Sequence, residues 1–147
     1  MRGALCVLFV GLALAGCSLG GDGDEKSATA SAQFVTELVR PGTEEQHGSV
    51  GLSDAGGKTR VVVEVLHPSG RQVAEIRTGN CDVLGAGVAY VLAPFEAGVS
   101  TTTVDVGLNA LRKMGYLVTV REGSSGPGGL CGDLAKSHSP SAAPSYE

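Results

Sequence analysis

Thr59 to Leu66 reads TRVVVEVL. Along an extended chain Val61, Val63 and Val65 fall on one side, and Arg60, Val62, Glu64 and Leu66 on the other. That is the period of two a strand imposes on its side chains. β-Branched valine is stiff at χ1 and suits a pleated surface better than a helix. Turn chemistry bounds the run on both sides. Asp54-Ala55-Gly56-Gly57 precedes it, with glycines to supply the positive φ of a hairpin, and Pro68-Ser69-Gly70 follows. The strand therefore predicts an upstream hairpin partner, His47 to Leu52, and before that a weaker strand around Phe34 and Leu38, ended by Pro41-Gly42.

Downstream the alternation returns in short pieces. Gln72 to Arg77 (QVAEIR) alternates less cleanly, glycine-rich Asn80 to Ala89 reads as a loop, and Tyr90-Val91-Leu92 is a short apolar run before Pro94. Ser100 to Val106 puts Thr102, Val104 and Val106 on one face. Tyr116 to Arg121 puts Tyr116, Val118 and Val120 inward, with Thr119 and Arg121 outward. Between them Gly107 to Gly115 (GLNALRKMG) has room for a single helical turn on Leu108 and Leu111. No stretch sustains an apolar stripe at helical spacing, so seven or eight short strands predict an all-β, Greek-key sandwich or barrel.

Composition fits one such domain. The chain has 147 residues, with 18 valines against one isoleucine and no tryptophan, a supply for strands around a modest core. Glycine plus proline, 29 residues, stays below the share at which low-complexity disorder becomes the default. The net charge is −4 and no lysine or arginine run occurs, so nucleic acid is not an expected partner.

The ends read as an address and a tail. Arg2 is followed by fourteen uncharged, mostly apolar residues, Gly3 to Gly16. That is the layout of a signal peptide and too short to span a bilayer. Leu14-Ala15-Gly16-Cys17 resembles the bacterial lipobox, which predicts cleavage after residue 16 and acylation of Cys17. The expected location is the cell membrane, lipid-anchored on its extracytoplasmic side. Without Arg2 the mature charge becomes −5, ten basic residues against fifteen acidic ones. Cys6 leaves with the signal and Cys17 takes lipid. Cys81 and Cys131 remain as a pair in a disulfide-permissive compartment and are expected to bond. Residues 17–32 read as a flexible tether, 33–134 as the β domain, and 135–147, small residues with two prolines, as a disordered tail.

Local chemistry is sparse. His47, His67 and His138 show no pair at metal-ligand spacing and read as solvated loop-edge residues. No G-x-S-x-G occurs, the glycines from Gly79 to Gly87 lack the lysine of a phosphate loop, and Glu44-Glu45 and the Asp22, Asp24, Glu25 cluster lack calcium-loop spacing.

The ordered set of strands with both cysteines resembles the copper,zinc superoxide dismutase-like family over about 90 residues. Ala74 to Cys81 (AEIRTGNC) resembles that family's histidine-x-histidine strand and the loop leading to its first cysteine. Ser100 to Val106, Leu111 and Gly115 to Val120 resemble its later strands, and Leu130-Cys131-Gly132-Asp133-Leu134 its closing segment. The resemblance implies two copper histidines where Glu75 and Arg77 stand, and a third where Arg121 or Glu122 stands. It implies bridging and zinc ligands in Asp82 to Val99, which contains no histidine, and a substrate-guiding arginine where Gly128 stands. A carboxylate and guanidinium groups cannot replace imidazoles on copper. The expectation is a lipid-anchored envelope protein whose degenerate superoxide dismutase-like domain has no catalytic residue, metal or cofactor and serves as a binding or structural module. The competing expectation is a copper- or zinc-binding protein of superoxide metabolism, using dispersed ligands such as His47 and His67 with nearby carboxylates.

Overall fold

In the computed structural model of the chain the described residues are 28–29, 31–123 and 129–140. The signal segment, Cys17 and Gly128 lie outside them.

Eight antiparallel strands form one curled sheet: β1 Phe34–Val39, β2 Gln46–Asp54, β3 Thr59–Val65, β4 Gln72–Gly79, β5 Leu84–Val91, β6 Val99–Val104, β7 Tyr116–Glu122 and β8 Leu130–Asp133. Their order is β5-β4-β7-β8-β1-β2-β3-β6. The pairings β3 with β6 and β4 with β7 are crossovers, the mark of Greek-key connection. The two sheet edges meet just past β5. There the Ala93 N–H donates to Thr102 Oγ1 (2.8 Å), and the Ser100 hydroxyl donates to the Ala93 carbonyl (2.6 Å), so the barrel is nearly closed by side chains instead of a ladder.

The β2–β3 hairpin has the expected register, Asp54 opposite Thr59 and Gly48 opposite Val65. Its turn is closed by the Ala55 N–H on the Lys58 carbonyl (2.9 Å), with Gly56 and Gly57 at φ 69° and 83°. Val61, Val63 and Val65 point into the core with Leu38, Val50, Leu52, Ala74, Ile76, Val118 and Val120. Leu111 caps this core from α1, Leu108–Lys113, which occupies the short linker predicted to hold one helical turn.

Three expectations change. Residues Leu84–Val91, read mostly as loop, form β5; its glycines hide the alternation and its ladder to β4 is irregular. The predicted tether ends before Thr29, which is buried and shares a hydrogen bond with Ser49 (2.9 Å). The predicted tail begins later than residue 135: Leu134–Lys136 is a 3-10 turn, Ser137 is buried, and His138 bridges to Val35 by backbone hydrogen bonds. Thr119 and Arg121 do lie on the outer side of β7, where Leu117 and Thr119 are nonetheless buried.

Candidate functional site

The outer face of β4, β7 and β8 carries an unusual polar row. On β4 the inward side chains are Gln72, Ala74 and Ile76, which leaves Glu75 and Arg77 on the other face. The register sets Glu75 beside Thr119 of β7, Thr119 beside Cys131 of β8, and Arg121 beside Val73. From these positions Arg77 Nη1 and Arg121 Nη2 both donate to Glu75 Oε2, at 3.1 and 2.8 Å. Glu75, 12% exposed, lies under the two guanidinium groups. Within this cluster Thr119 Oγ1 and Arg121 Nε are buried without a hydrogen-bond partner.

The disulfide borders the same face. Cys81 and Cys131 are bonded, with Cα atoms 5.8 Å apart. Asn80 Oδ1 accepts the N–H groups of Asp82 and Val83, which folds the loop after β4 into a tight turn. Asp133 Oδ1 then takes the Cys81 N–H (2.7 Å), while its Oδ2 pairs with Lys136 Nζ (2.8 Å). The hydrogen bond to Asp133, with its negative charge, raises the Lys136 pKa above the usual lysine range.

Three positions that the family resemblance assigns to a single copper ion are thus neighbours in space, and Arg121, not the exposed Glu122, is the third member. Their side chains do not fit copper. The one carboxylate is taken by two guanidinium groups, and those groups have no lone pair to give. Among the described residues no three histidine, cysteine, aspartate or glutamate side chains form a group that could hold a metal ion.

A second feature involves the two histidines that the competing expectation groups. His47 opens β2 and His67 follows β3, yet both line one pocket at the barrel mouth with Arg40, Gln72 and Glu122. His47 is half-buried and stands 3.6 Å from Glu45; His67 and His138 are exposed. The β2–β3 hairpin register brings His47 and His67 to adjacent strand ends, and the curl of the sheet then brings the end of β7 to them. The one local hint was the hairpin, whose register places Gly48 opposite Val65.

No protein-family model matches the chain, and no curated protein or solved structure shows significant similarity to it.

Proposed function

We propose that this is a lipid-anchored protein of the cell envelope in which a degenerate superoxide dismutase-like β domain serves as a non-catalytic binding or structural module. One observation carries the reading. The residues at the family's copper positions, Glu75, Arg77 and Arg121, come together and close an Arg–Glu–Arg network on each other. A partly buried network of this kind disfavours a metal cation at these positions, because the two guanidinium groups already outnumber the carboxylate. The Greek-key barrel and the Cys81–Cys131 link support the same scaffold, and the disulfide suits an extracytoplasmic compartment. The anchor rests on Leu14 to Cys17 and the apolar run before it.

Restoring the ligand set tests the reading. The triple variant Glu75→His, Arg77→His, Arg121→His should acquire copper binding that the wild-type chain lacks. A folded triple variant that takes up no more copper than wild type would show that these positions do not descend from, or reproduce, a copper site. The metal-carrier reading has one observation in its favour, the shared pocket of His47, His67 and Glu122. It predicts instead that the wild-type chain binds zinc or copper and that His67→Ala abolishes it.

A further inference from the structure

The Cys81–Cys131 link is not sealed in the core. Cys131 is 1% exposed, whereas Cys81 is half-buried. Both cysteines line a surface cavity of about 690 Å³ beside β1 and β8, with Thr43, Asp82, Lys136 and His138 on its walls. A thiolate arriving from solvent therefore meets one sulfur, that of Cys81. The Asp133 carboxylate holds the Cys81 N–H at 2.7 Å, so the loop after β4 keeps a tie to β8 when the sulfurs part.

The other sulfur has an unusual neighbour. Thr119 stands directly opposite Cys131 in the β7–β8 ladder. Side chains so placed share one face, with Cβ atoms about 5 Å apart. Thr119 is 6% exposed and its Oγ1 has no hydrogen-bond partner. A buried hydroxyl without a partner is costly, and folded chains keep few of them. Sulfur in a disulfide is a weak acceptor, whereas a thiolate is a charged one. The hydroxyl is thus unmet while the link is closed, and it finds an acceptor within the chain once Cys131 is released as a thiolate. Glu75, Arg77 and Arg121 on the same outer face add a net positive charge, which also favours a thiolate.

We infer that Cys81–Cys131 is a thiol–disulfide exchange site in the folded barrel. Cys81 is the sulfur attacked, Cys131 is the leaving group, and Thr119 is the positioning residue that holds its thiolate. The reductant is a dithiol. One of its thiolates attacks Cys81 Sγ, the Cys81–Cys131 bond breaks, and the electron pair of that bond leaves on Cys131 Sγ. The second thiol gives its proton to solvent and attacks the reductant's own sulfur in the mixed disulfide. That step expels Cys81 as a thiolate, which takes up a proton. The dithiol is oxidised to a disulfide and the protein disulfide is reduced, a two-electron exchange. The inference goes beyond the binding-module reading and does not depend on it.

Reduction of the full chain by dithiothreitol in detergent micelles tests it, with alkylation mapped site by site by mass spectrometry and the fold followed by circular dichroism. The link should open with the barrel still folded, at a rate unchanged by urea below the unfolding transition. Thr119→Val removes the hydroxyl at similar shape. It should open about fivefold more slowly and shift the equilibrium with dithiothreitol about tenfold toward the oxidised form, the worth of a hydrogen bond to a charged group. Thr119→Ser should keep the wild-type values. With one cysteine of the pair left, Cys81 in Cys131→Ser should react with glutathione disulfide about tenfold faster than Cys131 in Cys81→Ser. Opening that occurs only on unfolding overturns the inference. So does a wild-type rate and equilibrium in Thr119→Val, or equal reactivity of the two single cysteines.

Discussion

Removing the disulfide through the paired change Cys81→Ala and Cys131→Ala should lower stability more than any single apolar truncation in the strands. The cysteines are 50 residues apart in sequence. In the chain-entropy treatment a loop of that size removes roughly 14 cal/mol/K from the unfolded ensemble, about 4 kcal/mol at room temperature. Two further terms add to it. Cys131 is 1% exposed, so its truncation also opens space beside Thr119, and the loop from Asn80 to Val83 would lose its covalent link to β8 and keep the Asp133 hydrogen bond. Against a total of ~5–15 kcal/mol for a domain of this size, the loss is a large fraction of the whole. Urea unfolding followed by circular dichroism gives the measurement, with the slope checked so that a change in unfolded-state compactness is not read as stability. A loss below about 1 kcal/mol, the typical effect of any point change, would refute the reasoning and make the link incidental.

Three more outcomes follow from single contacts. Glu75→Gln leaves two guanidinium groups facing each other and should cost about 1–3 kcal/mol, reduced from a fully buried pair because the arginines keep partial exposure; a double-mutant cycle with Arg121→Gln should recover most of that coupling in denaturant unfolding. Gly132→Ala would set a Cβ 2.9 Å from the Glu37 carbonyl, where β8 lies against β1, and should destabilise by about 1–3 kcal/mol in thermal unfolding. Cys17→Ser in a bacterial host should release or misprocess the protein, and unchanged membrane fractionation would sink the lipid-anchor reading.

How much of this was legible depended on how each residue meets its neighbours. β3 was readable because its valines alternate in a strand with one face in the core, so burial and sequence share one period. β5 was not, because Gly85 and Gly87 break the apolar alternation and its ladder to β4 is irregular, although Tyr90 near its end packs against the core. The outward side of β7 was placed correctly, but its burial was not legible. Thr119 is polar by type, but the disulfide side of the barrel covers it, and cover is a tertiary fact. Nothing in the local sequence around Glu75, Arg77 and Arg121 links them to one another. Their convergence followed only from the family resemblance, which ties β4 and β7 to a common point. Of the mouth pocket only the pairing of His47 with His67 was legible, since Arg40, Gln72 and Glu122 join them from three further segments.

On the proposed reading the Glu75, Arg77 and Arg121 network stands at the positions of the family's copper ligands. Loading the wild-type chain with copper and zinc, dialysing against a chelator, and measuring retained metal together with superoxide dismutation decides it. The expected result is substoichiometric metal and no dismutation above that of free metal. One equivalent of copper or zinc retained per chain, with dismutation that disappears in His47→Ala or His67→Ala, would contradict it.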